Sequence, residues 1–515
     1  TTEIYTLSLH DALPIFMFKN RIKKGGLFKI AAAFIAIVTV VIFVSVTGCA
    51  GGCSGKKPKT NFTEYKIEAE YDGGFITATE TVSFFNDTEE GINELKFNLY
   101  PNAFRKDAKY TPVTVEQRPL CYYNGLSYGY ISVFAVFTGG EEADFSVEGK
   151  DENILTVPLF NTVFPSETAE VTINFKVKLA EVVARTGITE KTVNIANWYP
   201  VLCVYDNGFC ECEYYSTGDP FYSECADYEV YFTVKNTYAV ASSGVTVSSE
   251  YDHDNITYGF KAQKARDFAI VMSEEFDCLT ETESGVEINY YFFKDASPEK
   301  TLKTAKAAIK TFSELFGKYP YKKYDVAETQ IFAGGMEYPC LSMIDDNLTE
   351  EEREEVVIHE TAHQWWYSVV GNDEISYGFL DEGLTEYSVI LFYEKNPSYN
   401  KNRTDFIKKA MKSYSSYCTV YDKLYGKKDT SMIRKLPEFS SDYEYVNIAY
   451  MKGALMHEYL RNTVGEEKFF KGLRKYYSDN MYKIVTPYDY VSVYESLGCR
   501  VENFFESWFD GDVIL

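Results

Sequence analysis

His359-Glu360-Thr361-Ala362-His363 is the stretch of this sequence whose residue types and spacing can do chemistry on their own. Residues four apart on a helix share a face one turn apart, so the two imidazoles can grip one metal ion. Glu360, beside them, can take a proton from a water on that metal. The chain has only five histidines, and a chance pairing of two at this spacing around a Glu is a rare event in so His-poor a sequence. A catalytic zinc takes three protein ligands and keeps a fourth position for water. A third His six residues on, with a Gly between, is excluded, because those places hold Trp366 and Val369. A Glu from the next helix fits: 18 residues separate His363 from Glu382, within Phe379-Leu-Asp-Glu-Gly-Leu-Thr-Glu386. Glu386, one turn after Glu382, either hydrogen-bonds a ligand histidine and fixes its tautomer or is a solvated carboxylate.

Upstream lies Gly334-Gly335-Met336-Glu337-Tyr338-Pro339. Two glycines let an extended substrate approach the backbone, and Glu337 offers a carboxylate to a cation. Taken alone, the segment reads as a turn with a surface Glu.

These residues need a framework, and the hydrophobic periodicity supplies one. From Tyr65 to about Phe293 the period is two, in short runs such as Tyr65–Tyr71, Phe75–Phe85, Val171–Leu179, Tyr228–Val234 and Val286–Phe293, which predicts an antiparallel β-sandwich-like domain. At Ser297-Pro298 the period becomes helical, with Leu302, Ala305, Ile309, Phe312 and Leu315 forming a stripe that stops at Gly317. A strand is expected at Tyr324–Phe332, then helices at Glu350–Val370, Gly383–Lys395, Thr404–Tyr417, Met451–Val464 and Glu466–Tyr477. The fold class is therefore α+β multidomain, with a β-domain over 61–280 and a mainly helical domain over 281–515.

The 51 Lys and Arg against 76 Asp and Glu give a net charge of −25, which leaves no basic face for nucleic acid, and 45% apolar residues exclude disorder. The charge is uneven. Residues 1–60 carry eight basic side chains against Glu3 and Asp11. Thr1–Phe16 reads as a non-native leader ahead of Met17; Lys19, Arg21, Lys23, Lys24 and Lys29 then precede the apolar run Ile30–Val46, the order of a signal peptide over 17–48. Val46-Thr47-Gly48-Cys49 resembles a bacterial lipobox, so export with a lipid on Cys49 is expected, on a tether over 49–60; a plain N-terminal membrane anchor is the other reading. Either way the body lies at the extracellular face of the membrane. Cys203, Cys210, Cys212 and Cys225 crowd together in a spacing that suits disulfides or free thiols better than a second zinc.

Taken together, the motifs resemble the aminopeptidase N-like family of zinc metallopeptidases, the gluzincins. The resemblance implies a thermolysin-like catalytic domain holding one Zn2+ per chain on His359, His363 and Glu382, with Glu360 as general base. It implies that Gly334, Gly335, Met336 and Glu337 bind substrate, Glu337 holding the free α-amino group. Ala449-Tyr450-Met451-Lys452-Gly453 resembles the family's Tyr-x-Lys-Gly segment, which makes Tyr450 the donor to the oxyanion. Glu94–Phe104, Asn197-Trp-Tyr-Pro200 and Phe504–Phe509 extend the likeness over most of the chain. Tyr338 replaces the family's Asn, no match is evident for its second amine-binding acid, and a more open cleft is expected because the sequence ends where the family's C-terminal helical domain would begin. The function implied is an aminopeptidase acting on peptides with a free N-terminus; a zinc endopeptidase and a surface-binding lipoprotein with a non-catalytic zinc are the alternatives.

Overall fold

The computed structural model describes residues 61–515 except Ala333 and Lys427. The leader, the signal peptide and the tether with Cys49 lie outside the described residues.

Strict alternation makes the first sheet. Glu64–Tyr71 (β1) buries Tyr65, Ile67, Ala69 and Tyr71 and exposes every residue between, and Phe75–Phe85 (β2) repeats the pattern. Tyr130–Thr138 (β3), Glu141–Glu142 (β4), Thr168–Lys178 (β5), Ala226–Lys235 (β6), Val245–Asp252 (β7) and Asn255–Ala265 (β8) complete eight strands in the order β7-β8-β6-β1-β2-β5-β3-β4. The expected antiparallel pairing holds with one exception. β1 runs parallel to β6, Tyr65 opposite Tyr228, since the long excursion between them returns the chain from the same end. Two four-stranded sheets built from segments between Ile92 and Ser273 share a core with the large one: Leu95, Phe97, Trp198 and Ile270 are buried with Ile67, Val82, Phe175 and Val230.

A five-stranded sheet of Asp277–Glu283 (β9), Val286–Phe292 (β10), Lys323–Thr329 (β11), Gly335–Met336 (β12) and Leu341–Asp345 (β13) runs β9-β10-β11-β13-β12. β10, β11 and β13 pair in parallel, and both edge strands are antiparallel, β9 to β10 and β12 to β13; the β12 edge carries the Gly-Met-Glu segment. Pro298–Leu315 (α1) packs on it with the anticipated stripe. Glu350–Ala362 (α2), Phe379–Lys395 (α3), Arg403–Tyr425 (α4), Gly453–Val464 (α5) and Glu466–Asn480 (α6) form most of the helical half.

Two boundaries depart from expectation in ways that matter. The helix expected to run to Val370 stops at Ala362: His363 caps it, Tyr367 turns at φ 131°, and Val370–Asn372 becomes a short strand beside Lys483–Val485. Burying both Trp365 and Trp366 takes precedence over continuing the helix. α3 starts at Phe379, four residues early, so Glu382 sits in its first turn. Of the crowded cysteines, Cys203, Cys210 and Cys212 are unbridged thiols, and no cysteine among the described residues belongs to a cluster able to hold a metal.

Candidate metal centre and amine pocket

α2 is placed by its own ends. Thr349 accepts a hydrogen bond from the Glu352 backbone N–H while the Glu352 carboxylate accepts from Thr349 N at 2.9 Å, a reciprocal cap that fixes where the helix starts and hence where His359 points. At its other end His363 donates from Nδ1 to the Trp366 carbonyl at 2.9 Å. That bond sets the tautomer, leaving Nε2 with a lone pair facing inward.

Three such atoms converge. His359 Nε2 and His363 Nε2 are 3.2 Å apart, and Glu382 Oε2 lies 3.2 Å from the first and 3.3 Å from the second. Two imidazole lone pairs and a carboxylate oxygen aimed at one another in a buried site repel unless a cation lies among them. The electrostatics agree. Burial opposes charge on His359, yet Glu382 and Glu386 outweigh it and raise the imidazole to about 10, a demand for positive charge that a dication meets. Burial likewise works against the Glu382 anion, but the two histidines hold its carboxyl well below the usual range. Two nitrogens and one carboxylate oxygen, on adjacent helices, make the donor set of a catalytic zinc site. Glu386, half-exposed, approaches His359 Nδ1 at 3.4 Å, so of its two readings the ligand-orienting one fits its position.

Glu360 is buried, and its Oε2 has no hydrogen-bond partner. Burial pushes its carboxyl up to about 7. Its side chain lies against the backbone of Gly335, where a Cβ would overlap the carboxylate. The edge strand therefore needs glycine there to pass the acid. The next residues are clamped from below: Gln364 donates to the Tyr338 carbonyl at 3.1 Å and accepts from Cys340 N at 2.8 Å, so the residue after the second histidine also sets Glu337. Tyr338, in place of the family's Asn, donates to Asn197 Oδ1 at 3.1 Å and ties the strand to the β half.

The Tyr-x-Lys-Gly segment divides its labour. Val446–Lys452 is a π-helical turn, an uncommon widening that recurs at functional sites. It brings the Tyr450 hydroxyl to Glu382 Oε1 at 2.5 Å, with the Tyr450 ring stacked 5.9 Å from that of His359. Lys452 turns away and donates to the carbonyls of Thr430 and Trp508, and Gly453 lies directly on Gly383 of α3.

Sequence reasoning missed two acids. Asp219, from a loop of the β half, has a carboxylate oxygen within 4.8 Å of oxygens on Glu337 and Glu382. Glu374, in the short helix before α3, lines a cavity with Asp219 and Glu337. Neither stands at a spacing that announces it. His253 lies on an exposed turn and His457 in the helical core against Tyr490.

Residues 300–508 match the peptidase family M1 domain. Aminopeptidase B of Rattus norvegicus is 27% identical over 196 residues, 36% of this chain and 29% of its own length, and leucine aminopeptidase 2 of Emericella nidulans is 27% identical over 188 residues, 35% and 30%. The chain thus spans under a third of the length of these curated relatives. The solved M1 zinc metallopeptidase of Deinococcus radiodurans superposes with a TM-score of 0.62 at 17% identity, covering 88% of this chain and 96% of that one, and a solved mutant of it is bound to a Tyr-Ser-Ala substrate. With the zinc-type donor set inside the matched segment, residues 300–508 form a peptidase family M1 domain of the aminopeptidase N-like zinc metallopeptidases.

Proposed function

We propose that the protein is a zinc-dependent aminopeptidase that removes N-terminal residues from peptides. One observation carries this reading: the carboxylates of Glu337 and Asp219 lie within 4.8 Å of the ligand Glu382, so a cation held between them sits one residue's reach from the metal site. An α-ammonium anchored there fixes which carbonyl reaches the centre, and that is the first one. His359, His363 and Glu382 hold the zinc, which when bound supplies Lewis acidity to water and carbonyl.

The rest is done by side chains. Glu360, buried and near neutral in its titration, accepts a proton from the attacking water and returns it to the leaving amine. Tyr450 redirects its hydroxyl from Glu382 to the carbonyl oxygen as that oxygen gains charge. Gly334, Gly335 and Met336 present an open strand edge along which an extended peptide can lie.

Glu360→Gln is expected to keep its zinc and lose turnover of an aminoacyl reporter by about 100-fold or more; retained turnover refutes the assignment. Glu337→Ala is expected to weaken hydrolysis of free peptides while leaving N-acetylated ones, already poor, unchanged. Equal losses on both turn the reading toward an endopeptidase. The basic n-region, apolar run and Val46-Thr47-Gly48-Cys49 support export and lipid anchoring. Cys49→Ser should then release the protein from the membrane fraction, and full retention would favour a plain N-terminal anchor.

A further inference from the structure

Lys452 takes no part in the chemistry above, yet it stands two residues from Tyr450, which does. It is fully buried. Its Nζ donates to the Thr430 carbonyl at 2.5 Å and to the Trp508 carbonyl at 2.9 Å, and it faces the rings of Tyr414 and Trp508 at 6.0 and 5.8 Å. None of these contacting groups carries a full charge. Taking an ammonium out of water for carbonyls and ring faces alone is costly, so a lysine kept here points to something that its two bonds hold in place.

Those bonds close a joint. Thr430 lies in the chain between α4 and the π-turn, and Trp508 lies in the helix Glu502–Phe509. The two segments already form one wall: Met432 N donates to the Phe509 carbonyl at 2.9 Å, Ser431 Oγ to the same carbonyl at 3.0 Å, and Thr430 Oγ1 to the Gly511 carbonyl at 2.5 Å. Lys452 is the last residue of the π-turn Val446–Lys452, and its side chain pins that turn to the wall. Residues two apart on a helical turn leave it on roughly opposite sides. With Lys452 drawn to the wall, Tyr450 is turned the other way, toward Glu382 and the ring of His359.

We propose that Lys452 is a positioning residue for the hydrolysis: by fixing the end of the π-turn to the Thr430 segment and the helix Glu502–Phe509, it sets the rotation that aims the Tyr450 hydroxyl into the metal site. This rests on the reading of Tyr450 as donor to the oxyanion. Loosening the pin lets the hydroxyl stray from the carbonyl oxygen and slows the chemical step. Glu337 and Asp219, which hold the α-ammonium, are untouched, so substrate binding is not weakened.

The test uses the zinc-loaded full chain and an aminoacyl reporter with a free α-amino group. Lys452→Met keeps an apolar stem and removes the donors, and kcat is expected to fall about 10-fold or more while KM stays within about a factor of two. Tyr450→Phe is expected to lower kcat by about 100-fold. Because Lys452 acts through Tyr450, the double variant should be no slower than Tyr450→Phe alone, a result that a general loosening of the fold cannot produce. Lys452→Gln, which retains a neutral donor, takes the same comparison with a smaller expected loss should the Met variant not fold. Wild-type kcat in Lys452→Met overturns the proposal, and so does a loss that multiplies that of Tyr450→Phe in the double variant. Failure of both Lys452 variants to fold also overturns it, making Lys452 a residue of the core alone. Tyr450→Phe at the wild-type rate removes the oxyanion reading and this one with it, whereas a slow Tyr450→Phe beside an undiminished Lys452→Met removes this one only.

Discussion

At the scale of single residues, what was legible is what local geometry forces. His359 and His363 face the same way because a helix turns every 3.6 residues, and no tertiary information is needed to see it. Glu382 was legible as a candidate because a catalytic zinc site takes a third protein ligand, and the structure brings it to His359 and His363. Gln364, Asp219 and Glu374 were not legible, because each acts through neighbours that are distant in sequence: Gln364 through Tyr338 and Cys340, the two acids through a cavity that exists only once the halves meet. Gly335 belongs between these groups. Its glycine was read as access for substrate, and the structure adds a second demand, since a Cβ there would overlap the Glu360 carboxylate. Gly335→Ala must push the acid aside or tilt the strand edge. A displacement of this size at a proton-transferring group is expected to lower kcat by about 100-fold. Zinc content should be unchanged, because the ligands are elsewhere. Turnover within a factor of two of wild type would show that Glu360 can work from a shifted position.

At the scale of elements, periodicity identified the helices and strands while their ends escaped it. The ends are decided by competition that a pattern does not record: α2 stops because Trp365 and Trp366 must be buried, and α3 starts early because Asp373 and the short helix after it deliver the chain at Phe379. The crossing of α3 and α5 is likewise invisible in one dimension. Gly383 and Gly453 meet with a built Cβ only 2.6 to 2.7 Å from the partner's Cα, so the two backbones touch. That contact places Glu382 on one helix and the π-turn with Tyr450 on the other at hydrogen-bond distance. Gly453→Ala inserts a methyl group where no space exists and should cost about 1–3 kcal/mol in denaturant unfolding. It should also lower kcat, as Tyr450 moves from Glu382. Unchanged stability would mean the helices can separate without penalty, and the close crossing would then have no part in holding the site.

At the scale of the whole molecule, the site is built across a seam. Ala196, Ala241, Ala269 and Val271 from the β half pack with Ala327, Met336, Tyr338, Leu341 and Met343 from the other, so the strand bearing Glu337 rests directly on the β half that supplies Asp219. The switch of period at Ser297-Pro298 predicts two halves, but nothing in it shows how they are joined. Arg266 illustrates why. At the end of β8 it reads as one more surface charge, yet it is 2% exposed and spends its guanidinium on three carbonyls: Tyr367 at 2.9 Å, Ser223 at 2.7 Å and Lys483 at 3.2 Å. Two of those belong to the helical half and one to the β half. An arginine suits this place because its donors lie in a rigid plane and remain charged when buried. Arg266→Ala leaves three carbonyls, one buried and two partly buried, without that donor and a void against Gly371. The expected loss is about 3 kcal/mol or more, read as a lower urea midpoint. Because the seam sets the distance from Asp219 to Glu337, the variant should also lose part of its preference for free over acetylated peptides at temperatures where it remains folded. A variant that unfolds at the wild-type midpoint and keeps that preference would show that the apolar cluster alone holds the two halves, and with them the acids, in register.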